Sequence, residues 1–228
     1  VRDMTKGSPL KLLLLFSLPV LLGNVFQQLY NMVDTIIVGK YLGYQALAAV
    51  GTTGSLNFLV LGFANGLTSG FAVLVAQRFG AKDEEGLKKA EASAVALGIG
   101  FTVGITLLAL LTAKPLLRLI HTPEEIIGDA ATYISIIYAG IAATMMYNLL
   151  ACFLRAVGDS KSPLYFLIIS SLLNIVLDIV LIRYAHMGVA GAALATVISQ
   201  LVSGICCLFY IWKKYPILHL SKKDFKAP

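Results

Sequence analysis

Charge is the first thing that this sequence lacks. Only 13% of its 228 residues are Asp, Glu, Lys or Arg, whereas hydrophobic residues make up 58%. A soluble domain carries about 25% charged residues, so this composition indicates an integral membrane protein. Strict alternation of apolar and polar residues is also missing, which argues against a membrane β-barrel.

Patterns of reactive side chains are scarce as well. The three cysteines, Cys152, Cys206 and Cys207, lie in apolar runs and have neither metal-ligand spacing nor a disulfide framework. No histidine lies inside an apolar run, and the sequence contains no nucleophile–base constellation and no glycine-rich phosphate loop. These absences argue against an enzyme, a heavy-metal site and a bound cofactor.

Long apolar runs are abundant, and a transmembrane helix needs about 20 such residues. The sequence predicts an all-α membrane protein in which residues 1–212 form six transmembrane helices and residues 213–228 form a polar tail. The first run is expected to be a retained span, because no small-residue cleavage site follows it. The six predicted spans are Leu12–Val38, Ala46–Ala76, Ala92–Ala113, Ile126–Phe153, Leu164–Ile182 and Val189–Trp212.

Lysine and arginine are distributed unevenly between the two sides of the predicted bundle. Fourteen lie in the N-terminal segment, in the connections after the second and fourth spans and in the C-terminal tail, and four lie on the other side. The positive-inside rule therefore predicts that both termini are cytoplasmic. The net charge of +6 is attributed to this topology and to anionic lipid headgroups, and not to nucleic acid.

Of the twelve acids, ten lie in loops, tails or helix ends, and only Asp34 and Asp178 lie in the interior of the predicted spans. An acid within a membrane is costly and is therefore a functional candidate. Each lies four residues from the outer end of its span, and Thr196 of the sixth span lies at a similar depth. Two carboxylates without a fixed cation at that level favour binding of a proton or a cation. Ligands that are all oxygen suit a hard ion such as Na⁺, and the residues leave Na⁺ and H⁺ both open.

Other polar side chains recur at helical spacing within the spans. Lipid does not tolerate polar faces, so these side chains are expected to point inward and line a shared cavity. The alternative is that they form interhelical hydrogen bonds, each worth about 0.6 kcal/mol. The candidate cavity residues are Gln27, Asn31, Asn57, Asn148 and Gln200.

Two further features concern helix shape and packing. Pro19 removes a backbone hydrogen bond and is expected to kink or loosen the first span, either as a gate or as a tolerated structural kink. Small residues also repeat every four positions, which predicts close helix packing. These rows are Gly62, Gly66 and Gly70; Gly100 and Gly104; and Gly191, Ala195, Ser199 and Ser203.

Five motifs resemble those of the multidrug and toxic compound extrusion (MATE) transporters of bacteria. They are "FSLPVLLGNVFQQLYNMVDTIIVGKYLG", "AQRFGAKD", "LRAVGDSKSP", "NIVLDIVLIRY" and "GVAGAALATVISQ". The resemblance follows the same order as in the family, and it covers almost the whole chain. It implies one six-helix lobe of a twelve-helix transporter in the cell membrane.

The resemblance also implies an activity and a site. The activity is export of organic cations and other amphipathic compounds, coupled to entry of Na⁺ or H⁺ by alternating access. The coupling cation would bind at Asp34, Asn174, Asp178 and Thr196, and its occupancy would be coupled to bending of the first helix at Pro19. The tail after Trp212 resembles a connection toward a second six-helix lobe.

Two rival functions fit parts of the same sequence. A flippase for lipid-linked oligosaccharides or polysaccharides would share the architecture, but its cavity would be expected to carry several cationic side chains for pyrophosphate. A membrane scaffold without transport activity would use the polar stripes only for helix packing. Scaffold packing accounts poorly for two carboxylates inside the spans.

Overall fold

The computed structural model describes residues 7–215, except for the side chains of Tyr30, Asn31 and Ser55. Residues 216–228, which make up most of the predicted tail, lie outside the described range. All regular elements in the described range are helical, and a short π-helical turn, Val180–Tyr184, continues α7. The helices are α1 (Pro9–Leu42), α2 (Tyr44–Thr52), α3 (Gly54–Gly80), α4 (Glu84–Leu119), α5 (Glu124–Ala139), α6 (Ile141–Ala156), α7 (Lys161–Ile179) and α8 (Val189–Lys214).

These helices confirm the predicted all-α membrane architecture. Five of them are long and apolar enough to cross a membrane, and the pair α5 and α6, with a bend of 47° between them, is long and apolar enough to make a sixth span. Successive spans run in opposite directions, so the bundle has two ends. We call the end with the start of α1 and the end of α8 the terminal end, and the opposite one the far end.

The second predicted span, Ala46–Ala76, is wrong at its start. The segment Tyr44–Thr52 forms the separate helix α2, and the long apolar helix of this region covers Leu56–Gly80. The reason is local, because the hydroxyls of Thr52 and Thr53 donate hydrogen bonds to backbone carbonyls within α2, at 2.8 and 2.7 Å. Side chains of this type compete with the helix ladder, and glycine on either side weakens the helix further.

The apolar core is divided into two clusters, one toward each end of the bundle. The far-end cluster joins α1, α2, α4, α5 and α8 through buried side chains such as Val38, Leu117 and Tyr138. The terminal-end cluster joins α3, α4, α6 and α8 through side chains such as Leu87 and Phe153. The polar residues that the sequence singled out therefore lie between or beside two well-packed apolar regions.

The small-residue rows behave differently from one another. The row of α8 is buried along its whole length, as predicted, and a β-carbon on Gly191 would lie 3.1 Å from the side chain of Leu181. The packing prediction is wrong for the rows of α3 and α4, where a β-carbon on any of the glycines would meet no atom of the described residues within 4 Å. These rows are Gly62, Gly66 and Gly70 of α3 and Gly100 and Gly104 of α4, all of them exposed.

A third acid, Glu91, is buried in this structure, which the sequence did not predict. The predicted third span begins at Ala92, but α4 begins at Glu84, so Glu91 lies two turns inside the helix and is only 3% exposed. The helix begins early because the Asp83 carboxylate caps it by accepting a hydrogen bond of 2.9 Å from the backbone N–H of Gly86.

At the terminal end, Asp159 joins the start of α7 to the end of α8. Its carboxylate accepts hydrogen bonds from the backbone and hydroxyl of Ser162, at 3.0 and 2.7 Å, and from the hydroxyl of Tyr215, at 2.6 Å. Burial opposes ionisation of Asp159, but these hydrogen bonds outweigh it and hold the pKa of the carboxyl below its ordinary value of 3.8. At neutral pH the Asp159 carboxyl is therefore ionised and links α7 to α8.

Removing the negative charge of Asp159 should destabilise the fold. We expect Asp159→Asn to lower stability by about 1.5 kcal/mol, since hydrogen bonds to a charged acceptor are lost. That corresponds to a fall of about 3–6 °C in the Tm of the detergent-solubilised protein. The matched control is Asp129→Asn, which alters an exposed acid of α5.

The pH dependence of this difference has a definite sign. The folded-state pKa of Asp159 is lowered, so its contribution is complete above the ordinary value of 3.8 and is lost as the pH falls through the lower, folded-state value. The Tm difference between the native protein and Asp159→Asn should stay constant as the pH is lowered toward 5, and should narrow only in stronger acid. A difference no larger than that of Asp129→Asn would contradict the role of Asp159.

Candidate functional site

Asp34 on α1 and Asp178 on α7, the two acids predicted from the sequence, lie opposite each other. The carboxyl group of Asp34 lies close enough to that of Asp178 for a direct side-chain interaction. Asp178 is completely buried and Asp34 is partly buried. The structure thus brings together two residues that are separated by most of the chain.

Asn174 and Thr196 lie beside this pair. Asn174 precedes Asp178 by one turn on α7 and is only 2% exposed. Its amide Nδ2 lies 3.3 Å from Oγ1 of Thr196 on α8, and that hydroxyl in turn donates to the backbone carbonyl of Ala192. Helices α1, α7 and α8 therefore contribute one side of a cluster made of carboxyl, amide and hydroxyl groups.

The carboxyl oxygen atoms of the acid pair are able to bind a ligand. Among the residues that the structure describes, no amide, hydroxyl or amino donor hydrogen-bonds Oδ1 of Asp34 or either carboxyl oxygen of Asp178. Buried polar atoms normally have partners, and two ionised carboxylates at close range repel each other. A proton shared by the pair or a hard cation bound between them would relieve both costs.

Tyr133 of α5 is a member of this site that the sequence analysis missed. The tyrosine is 7% exposed, and its ring hydroxyl lies within electrostatic range of both Asp34 and Asp178. A signal for it was present, because Tyr133 lies nine residues into α5 from the far end, at about the depth of the two acids. A buried tyrosine hydroxyl also usually requires a polar neighbour.

A separate cavity of about 250 Å³ lies closer to the terminal end, between α1, α3, α6, α7 and α8. Three of the predicted cavity residues, Gln27, Asn148 and Gln200, line it together with Pro19. The Asn148 amide donates a hydrogen bond to the side-chain oxygen of Asn65, another lining residue. Asn148 therefore both lines the cavity and forms an interhelical hydrogen bond, two roles that were alternatives from the sequence alone.

Two of the predicted cavity residues are not placed there. Asn57 does not line the cavity, because α3 begins only at Gly54 and Asn57 consequently lies one turn from the far end of that helix. The side chain of Asn31 lies outside the described part of the structure. Pro19 is buried, and α1 continues through it from Pro9 to Leu42.

The acid cluster and the cavity are distinct regions joined by the same helices. None of Asp34, Asn174, Asp178 and Thr196 lines the cavity, although α1, α7 and α8 contribute to both regions. On α1, Pro19 and Asp34 are 15 residues apart, a distance of roughly 22 Å along a helix. A movement of α1 would therefore affect both regions at once.

Comparison with known proteins identifies the family to which this chain is similar. The sequence model of the MatE family matches residues 19–180 of the chain. The chain is 37% identical over 211 residues to the "Probable multidrug resistance protein YpnP" of Bacillus subtilis (strain 168), an alignment that covers 92% of this chain and 47% of that protein.

Solved structures show the same fold. A MATE structure described as the bent conformation matches with a TM-score of 0.91 and 30% identity, covering 99% of this chain and 50% of that one. A MATE structure in the straight conformation matches with a TM-score of 0.90, the same identity and the same coverage. The chain spans about half the length of the relatives that it matches.

Proposed function

Because this chain belongs to the MATE family, whose sequence model covers residues 19–180, we propose that it supplies the N-terminal lobe of a cation-coupled exporter. The exporter would carry amphipathic or cationic compounds out of the cell in exchange for Na⁺ or H⁺. The names of the relatives support drug-like substrates, since the relative in Bacillus subtilis is called a probable multidrug resistance protein.

The observation that carries this proposal is the acid pair. Asp34 and Asp178 lie on different helices, interact directly and have oxygen atoms without donors among the described residues. Helix packing does not require such an arrangement, whereas a coupling ion does. Asn174, Thr196 and Tyr133 would complete the surroundings of the ion with neutral oxygen-bearing side chains.

The proposed mechanism is alternating access controlled by this site. A cation or proton between Asp34 and Asp178 would remove their repulsion and let α1 pack closely against α7. Loss of the ion would restore the repulsion and favour a different position of α1. Pro19 lacks the backbone N–H that would tie it to the preceding turn, so it is the natural point for α1 to bend.

The second lobe is a further part of the proposal. The first and last halves of a twelve-helix transporter would enclose the substrate between them, and this chain matches half of such structures. Helix α1 fits a place at that boundary, because much of its apolar surface, such as Leu18, Leu22 and Val25, is exposed. An exposed apolar surface of this size faces either lipid or another protein segment.

The orientation follows from the charge distribution. Among the described residues, nine lysines and arginines lie toward the terminal end and four lie toward the far end. The positive-inside rule then places both termini in the cytoplasm and the acid pair nearer the outer surface of the cell membrane. An ion that enters from outside would reach the pair before it reached the cavity.

Ion gradients imposed on proteoliposomes test the proposed coupling. The complete transporter that contains this lobe should export a fluorescent amphipathic dye when an inward gradient of Na⁺ or of H⁺ is imposed, and should stop when the gradient is collapsed. The comparison of the two gradients identifies the coupling ion. Dye movement that is indifferent to both gradients would overturn cation coupling, and complete absence of dye movement would favour the scaffold.

A further inference from the structure

The cavity between α1, α3, α6, α7 and α8 carries a positive charge. Among the described residues that line it, the guanidinium of Arg155 is the one formally charged group. The other polar groups of the wall are neutral amides and hydroxyls, including those of Gln27, Asn148 and Thr68. The acids of the ion site do not reach this cavity, so they do not balance the charge of Arg155.

Arg155 interacts with another residue of the cavity wall, Cys152. It lies in the last turn of α6, one turn after Cys152. The Cys152 thiol is within hydrogen-bonding range of both Arg155 and the hydroxyl of Thr68 on α3. A cation in the last turn of a helix is favourable anywhere on the helix surface. That general effect accounts for the residue type, but it does not account for a place in the cavity wall.

The guanidinium of Arg155 forms no ion pair with any carboxylate in the described part of the chain. The ion pairs of the described residues join Arg78 to Asp83 and Lys89 to Glu85, and none includes Arg155. The closest acid along the chain, Asp159, already accepts hydrogen bonds from Ser162 and Tyr215. A guanidinium has five N–H donors arranged to match a carboxylate, and the side chain of Arg155 is exposed and therefore accessible to a ligand.

We propose that Arg155 is an anion subsite of the substrate cavity and binds a carboxylate on an amphipathic substrate. This inference rests on the proposed export function and narrows its substrate class. The lobe would prefer zwitterions or acids that carry an apolar body over cations that carry no acidic group. A volume of about 250 Å³ is smaller than the roughly 300–1,000 Å³ of a whole ligand pocket. The subsite therefore fits the acidic portion of a larger molecule.

A matched pair of dyes isolates the acidic group. We suggest a carboxyrhodamine with a free acid and the same dye as its methyl ester, which differ in the charge of that group and by one methyl group. Binding is measured by fluorescence polarisation on the purified, complete transporter that contains this lobe. Wild-type protein should bind the free acid about tenfold more tightly than the ester, as expected for one charge-assisted, bidentate contact.

Three variants test whether Arg155 is responsible for the tighter binding of the free acid. Arg155→Gln should weaken binding of the free acid about tenfold and change binding of the ester less than about twofold, so the ester also reports whether the variant is folded. Arg155→Lys keeps the charge without the bidentate geometry and should fall between the two. Lys161→Gln, which removes an exposed basic residue that does not line this cavity, should alter neither dye.

The outcomes separate the subsite from the transport proposal. Wild-type protein that binds the acid no more tightly than the ester, or binds neither dye, overturns the anion subsite. An equal loss of both dyes in Arg155→Gln overturns it as well. Retained preference for the acid with no ion-driven efflux overturns the transport proposal alone and leaves the subsite in place.

Discussion

Asp178→Asn is expected to lower ion-driven efflux by the complete transporter about 100-fold. Asparagine keeps the shape of the side chain but cannot carry the charge that holds a proton or a cation beside Asp34. An ion shifts a conformational equilibrium only by its difference in affinity for the two states, and this difference is what the substitution removes. A 100-fold lower rate corresponds to an activation free energy that is higher by about 2.7 kcal/mol.

The measurement compares efflux with equilibrium binding. Dye efflux from proteoliposomes under the effective ion gradient should collapse, whereas dye binding to purified Asp178→Asn, measured with the coupling ion kept at a low concentration, should stay within about twofold, since Asp178 does not line the cavity. Asp34→Asn should reproduce the defect, and the double variant should be little worse than either, because the two carboxyls act as one unit. Asp129→Asn, an exposed acid of α5, is the control. Full efflux with unchanged ion dependence in Asp178→Asn would refute the assignment.

Gly140→Ala is expected to destabilise the lobe by about 2 kcal/mol and to weaken ion binding. Gly140 lies at the bend between α5 and α6, and an added β-carbon would collide with both methyl groups of Val197 and lie 3.1 Å from its Cβ. Valine is rigid about χ1, so α8 itself must move to make room. Thr196 adjoins Val197 and would move away from Asn174 with it.

A compensating substitution makes this prediction specific. Val197→Ala removes the two colliding methyl groups, so the double variant Gly140→Ala/Val197→Ala should be more stable than the sum of the single effects by about 1–2 kcal/mol. Gly128→Ala is the matched control, because a β-carbon there would meet no atom within 4 Å. The readouts are the Tm in detergent and the concentration of ion needed for half-maximal effect. Strict additivity of the two substitutions would show that the collision does not govern stability.

Much of the architecture follows from elementary properties of the sequence. Six apolar segments of sufficient length predict six spans, and a chain so poor in charge makes each acid within a span conspicuous. Asp34 and Asp178 could therefore be singled out from hydropathy and depth alone, and Thr196 joined them because it lies at the same level of its span. Asn174 was assigned to the ion site through resemblance to the family.

Other features depend on tertiary structure and could not be predicted this way. The break between α2 and α3 arises from threonine hydroxyls that bond to the backbone, and it removed Asn57 from the cavity. Glu91 was overlooked because hydropathy locates the apolar part of a span, whereas α4 extends two turns beyond it. The exposed glycines of α3 show that a spacing pattern does not reveal which face of a helix has a neighbour.

The separation of the ion site from the cavity has a thermodynamic consequence. Since the two regions share helices but no lining residue, an ion bound at the acid pair and a drug bound in the cavity would not compete for the same atoms, and both would be able to occupy the lobe at once. The coupling between the two binding events must then be reciprocal. The factor by which a bound ion weakens drug affinity equals the factor by which a bound drug weakens ion affinity. A drug titration at several ion concentrations should accordingly approach a plateau in apparent Kd, whereas direct competition would raise the apparent Kd without limit.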